Sequence, residues 1–137
     1  MQQKDTIENQ IEKLSLFLKR LISKIIDSSS SETTEEVSID LQTALHLNSI
    51  DFSELDENKI DTLIIDNSLT ELHLEQLSEI AYLLGKNNLD SNSELAIKYL
   101  TVSSRFLQKA DTISGNFSLI RKTKMNSINN LIHKELE

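Results

Sequence analysis

The feature that most constrains this chain is a run of apolar residues near its start. Ile7, Ile11, Leu14, Leu18, Leu21 and Ile25 recur at spacings of 4, 3, 4, 3 and 4. Only a helix brings such residues onto one stripe, and the alternation is that of a heptad seam. The periodic signal over 3–27 predicts a helix roughly 38 Å long at 1.5 Å per residue, the core of a long N-terminal helix over 1–27. Leu16, Phe17, Ile22 and Ile26 widen the stripe over its second half. A helix apolar on much of its circumference must be covered on more than one side. The expectation is that it packs into the core of its own chain, and that Leu16, Phe17, Ile22 and Ile26 form a self-association face.

The rest of the chain carries the same preference. There is no proline, there are only two glycines, and sixteen Ile stand against two Val. That composition favours helices joined by polar connections over a strand-rich fold. The chain is therefore read as one all-α domain over 1–137, an antiparallel bundle of about six helices. Residues 28–34 read as a flexible Ser-rich loop, with Thr33 and Glu36 as a capping box for the second helix. Val37, Leu41, Ala44 and Leu45 form that helix's inner face. Ile50 and Phe52 are expected to turn inward, and Asp56 to cap a short third helix that Asn67-Ser68 ends. Thr70 caps the fourth helix, with Leu74, Leu77, Ile80, Ala81 and Leu84 inward. The fifth runs to about Thr112, with Ser91 and Glu94 as a capping box. Gly115 marks the last break, and a closing helix over 116–135 turns Phe117, Ile120, Met125, Ile128, Leu131 and Ile132 inward.

Several chemistries are excluded outright. Without cysteine there is no disulfide, thiol nucleophile or Cys-ligated metal. Two glycines, Gly85 and Gly115, cannot build a phosphate-cradling loop. His46, His73 and His133 fall on three helices at no ligand spacing and read as ordinary surface or interface histidines. Asp51, Glu54, Asp56, Glu57, Asp61 and Asp66 crowd one segment, but lack the glycine and terminal glutamate of a calcium loop. They read as caps and solvated faces. No Gly-x-Ser-x-Gly turn accompanies the serines. The expectation is a protein that is not an enzyme and has no catalytic residue, metal or cofactor.

Charge is unevenly spread. The net charge is −8, with a balance of +1 over residues 1–30, −12 over 31–90 and +3 over 91–137. This disfavours nucleic-acid binding. It predicts attraction between the acidic middle and the basic C-terminal part, within a chain or between chains. Arg121, Lys122 and Lys124 on the closing helix, with Arg105 and Lys109 before it, are read as a patch for an acidic protein partner. Asp5, Glu8, Glu12 and Asp27 spoil the first helix as a membrane-surface element. No apolar run reaches spanning length, and the charged opening is unlike a signal peptide. The expected location is the cytoplasm, with no membrane partner.

The segment 70–112 resembles a tetratricopeptide helix pair. Ala81, Leu84, Gly85, Ala96, Leu100 and Ser103 carry the resemblance, although the usual Tyr after the Gly and the closing Pro are absent. It implies two antiparallel helices in close contact at small residues. The stretch Asp111–Arg121, a Ser/Thr-rich turn leading through Phe117 to Arg121, looks like the last connection of a group of short bacterial all-helical proteins with such a pair. That likeness implies architecture and no reaction. The functional expectation is a non-enzymatic interaction or scaffold module, homodimeric near the second half of the first helix. The alternative is a small-molecule-binding or enzymatic domain with a dispersed site between the second, third and fourth helices.

Overall fold

The computed structural model describes the backbone of residues 2–28 and 30–137 and the side chains of 8–28, 30 and 32–137. The described residues form six α-helices and no strand: α1 (Gln2–Asp27), α2 (Ser31–Ala44), α3 (Glu57–Asn67), α4 (Glu71–Asn88), α5 (Ser93–Ser114) and α6 (Leu119–Leu136). A single 3₁₀ turn (Phe52–Glu54) lies between α2 and α3.

Each of α2 to α6 begins at a polar cap whose side chain accepts a backbone N–H that the helix cannot satisfy itself. Asp56 caps α3 through Lys59, and Thr70 caps α4 through His73. Two caps differ from the sequence reading. Ser30, not Thr33, caps α2, so the helix starts within the stretch read as a flexible loop over 28–34. Thr33 and Thr34 are buried, and Thr34 accepts a hydrogen bond from Asn88 at 3.3 Å. Docking on the end of α4 decides among several adjacent residues that are equally able to cap. Asn92, not Ser91, caps α5.

The centre of the molecule is the α4–α5 pair. The two helices run antiparallel, since Ser78 meets Ser103 near their middles while Gly85, further along α4, meets Leu100 and Ala96, which come earlier in α5. Ser78 Oγ donates to the Ser103 carbonyl at 2.9 Å, and Ser103 Oγ donates back to the Ser78 carbonyl at 2.7 Å. Small side chains that satisfy themselves across the crossing let the backbones approach without orphaning a buried hydroxyl.

The first helix lies alongside α4 and parallel to it. Leu18, Leu21 and Ile25 are fully buried, while Ile11 and Leu14 are half-buried. The Ile7 side chain falls outside the described residues. The polar contacts fix the register: His73 Nε2 donates to the Ile11 carbonyl at 2.9 Å, and Gln76 Nε2 donates to the Ser15 carbonyl at 3.2 Å. Phe52 is buried and stacks on Phe106, the ring centres 5.8 Å apart. Ile50 stays at the surface, contrary to the sequence reading.

The closing helix packs mainly on α5. Ile128 joins Leu100 and Leu107 in a second, smaller core, flanked by Met125, Leu131 and Ile132. Phe117 and Ile120 do not follow the inward reading. They are 80% and 83% exposed. The helix begins at Leu119 after an extended Ser118 cap, which places Phe117 outside it. Arg121, one position on, occupies the inward direction that Ile120 would need.

Candidate functional site

The face with most to offer a partner lies between α4 and α6. Both helices run the same way, because Arg121 reaches Glu71 and Glu75 while Lys124 reaches Glu79. A shallow groove opens between them. Leu107 of α5 lies at its floor, and Ile22 of α1, Leu72 of α4 and Ile120 of α6 line it.

Arg121 organises this face from beneath. It is nearly buried, and its guanidinium is fully engaged. Nε donates to Asp111 at 2.5 Å, and Nη1 donates to Glu71 at 2.6 Å and Glu75 at 3.0 Å. Nη2 donates to Ser114 Oγ at 3.0 Å and to the Asn116 carbonyl at 3.3 Å. The hydrogen bond to Asp111, above the others, raises its pKa further from neutrality. A planar fork with five donors suits this task, and an ammonium would not.

The basic patch expected from sequence therefore comes apart. Arg121 is not available to an acidic partner, because three carboxylates of its own chain hold it. Lys124 is half-buried, ion-paired with Glu79, and sits 5.1 Å from the centre of the Tyr82 ring. Lys109 pairs with Asp61 at 2.7 Å and Glu57 at 3.1 Å, and Arg105 donates to the Leu55 carbonyl at 2.8 Å. Lys122 stays exposed. The attraction between the acidic middle and the basic C-terminal part is thus satisfied within the chain.

The self-association residues named on α1 also separate. Phe17 and Ile22 are half-buried against the main core. Leu16 and Ile26 remain 47% and 64% exposed. Ten residues apart, they lie about 15 Å from each other along the helix and form no single patch.

The apolar surface that remains lies elsewhere. Leu72, Ile113, Phe117, Leu119 and Ile120 are all exposed, and all belong to the end where α4 starts, α5 stops and α6 starts. Large apolar side chains gathered at one end mark an interaction surface more often than chance exposure does. Sequence reasoning missed this group because Phe117 and Ile120 fit the inward period of a helix. The signal that resolves it is Arg121, a residue whose charge demands the carboxylates that only the inner direction supplies.

His73 also differs from expectation. It is fully buried, with Nδ1 accepting from the Thr70 N–H at 3.0 Å and Nε2 donating to Ile11. These roles require the neutral ring, so the imidazole acts as a structural clip. Among the described residues, no group of three His, Asp or Glu side chains is arranged to hold a metal ion. No described helix is long and apolar enough to cross a membrane. Comparison with protein families, with characterised proteins and with solved structures gives no significant match.

Proposed function

We propose that this chain is a non-enzymatic interaction module, built on a tetratricopeptide-like helix pair, that self-associates through the end of the molecule where α4, α5 and α6 meet. The observation that carries the reading is the exposed group of Leu72, Ile113, Phe117, Leu119 and Ile120 beside a shallow groove.

Charge supports a second copy as the occupant. The net charge of −8 repels copies from each other in general. At this face, however, Glu71, Glu75 and Asp111 are held by Arg121, and Glu79 by Lys124. Arg121 and Lys124 offset part of the charge of these four carboxylates, which lowers the repulsion between two copies that meet there across a two-fold axis. The small residues at the α4–α5 crossing support the tetratricopeptide-like description: Gly85, Ala96 and Ser103 are all buried where the helices approach.

Light scattering on the intact chain tests the reading. The expected mass is twice the 15.6 kDa of one chain. A single-chain mass at high micromolar concentration removes self-association from the proposal.

A further inference from the structure

The largest concentration of unusual backbone among the described residues lies at the ends of α2 and α3, whose residues do not line the groove. Among the described residues, three non-glycine residues have positive φ: His46 at 55°, Asn48 at 57° and Ser68 at 51°. All three lie at one junction, where α2 and α3 end side by side. Asn67 ties the two ends together, its Nδ2 donating to the Leu45 and Leu63 carbonyls, both at 3.1 Å. Left-handed backbone at ordinary residues costs energy and persists where surrounding structure over-determines it.

A cavity of about 350 Å³ opens at this junction. Leu47, Leu55 and Leu63, all buried, supply its apolar floor. Lys59, Thr62 and Asp66 lie along one face of α3 at its edge. The size and the mixture of an apolar floor with few polar groups suit a small organic molecule.

The electrostatics select its charge. Helix C-termini carry partial negative charge, and two converge here. Neither α2 nor α3 has a basic residue in its last turn. Asp66 stands in the last turn of α3, where the helix dipole disfavours a carboxylate. No cation among the described residues comes within 4 Å of it, whereas Lys59 faces Asp56 at 3.9 Å. The surrounding segment, residues 31–90, has a balance of −12. His46 and Lys59 also line the cavity, but neither is ion-paired with Asp66, and two dipole ends with this carboxylate beside an apolar floor form a receptor for a cation with an apolar body.

We propose that this cavity binds a small primary ammonium compound, its alkyl or aryl body on Leu47, Leu55 and Leu63 and its ammonium at Asp66 between the ends of α2 and α3. The cavity shares no lining residue with the groove beside the self-association surface.

The test is a ¹H–¹⁵N NMR titration of the full chain with three probes of similar shape: 2-phenylethylammonium, 2-phenylethanol and 3-phenylpropanoate. The ammonium is expected to shift the amides of Leu47, Asn48 and Asp66–Leu69 saturably, and to bind about tenfold more tightly than either other probe. Asp66→Asn is expected to bring the ammonium down to the level of the alcohol while leaving the melting midpoint unchanged or slightly raised. Four outcomes overturn the proposal. They are no saturable shift from the ammonium at millimolar concentration, equal binding of all three probes, shifts confined to other parts of the chain, or an ammonium preference that survives Asp66→Asn.

Discussion

A Cβ built on Gly85 would lie 2.8 Å from Leu100 Cγ and 3.2 Å from the Ala96 carbonyl oxygen. Helix propensity alone would make Gly85→Ala stabilising by about 1 kcal/mol. The contact opposes this, because Leu100 is fully buried and its Cγ is not a free end. Overpacking costs about 1–3 kcal/mol, so Gly85→Ala should lower the thermal midpoint and Gly85→Leu should lower it further. A raised midpoint for the alanine variant would mean that the crossing is looser than described. At His73 the expected change is larger than its surface reading suggested. His73→Ala removes two hydrogen bonds and leaves the Thr70 N–H without its side-chain acceptor, for a loss of about 1–3 kcal/mol in a denaturant melt. The importance of Gly85 was legible because a small residue in a good helix former is conspicuous. His73 was not, because its partner lies 62 positions away on another helix. Tyr99 gives a pH-dependent signature. Burial pushes its hydroxyl from 10.0 up to about 12. A raised phenol pKa favours folding while the unfolded chain keeps its proton, below about pH 10, and that contribution declines as pH rises from 10 to 12. The wild-type midpoint should therefore fall more steeply across this window than that of Tyr99→Phe. Parallel curves would show that Tyr99 ionises with the same ease in both states.

Among the elements, α6 depends most on a single side chain. Its apolar anchorage is the small cluster around Ile128, and its first turn is held by Arg121. Arg121→Met removes the ion pairs while keeping an apolar stem of similar length. The three carboxylates left behind are about 42% exposed and can regain water. This discounts the penalty of a broken buried pair to about 1–3 kcal/mol. Hydrogen exchange should show protection lost first in α6, with the α4–α5 amides still slow. Lys122→Gln should change stability by less than about 0.5 kcal/mol, as exposed positions do. Equal effects of the two changes would contradict the contact geometry. The existence of all six helices was readable because caps and periodicity agree over most of their length. The start of α2 was less so, since several neighbouring hydroxyl residues can each cap and only burial of Thr33 and Thr34 selects Ser30. The rotation of α6 was misread for the same kind of reason. A period fixes which residues share a face, but the residue that faces inward here is a cation, chosen by carboxylates from α4 and α5.

For the whole molecule, charge segregation in sequence became charge pairing in space. Lys98 meets Glu54, Lys109 meets Glu57 and Asp61, Arg121 meets Glu71 and Glu75, and Lys124 meets Glu79. The C-terminal third thus spends most of its positive charge on its own chain, and the sequence could not say whether those partners would be internal. Of the exposed large apolar side chains, five gather at the end around Phe117 and Ile120, while Ile39, Ile65 and Leu136 are exposed elsewhere. Two surfaces then compete for the role of interface. The α1 surface offers Leu16 and Ile26, which are separated along the helix, while Phe17 and Ile22 contribute to the chain's own core. The α4–α6 end offers five exposed apolar residues with partly compensated charge around them. Burying one large apolar side chain fully stabilises by roughly 1.5–3 kcal/mol, and an interface that repeats each residue across a two-fold axis counts it twice. Phe117→Glu with Ile120→Lys should therefore reduce the light-scattering mass to that of one chain, leaving helicity by circular dichroism unchanged because neither side chain is in the core. Leu16→Glu with Ile26→Lys should leave the mass at that of two chains. The opposite pattern would place the interface on α1. Loss of association in both variants would require a contact that spans the two surfaces, and the groove lined by both Ile22 and Ile120 would be its place.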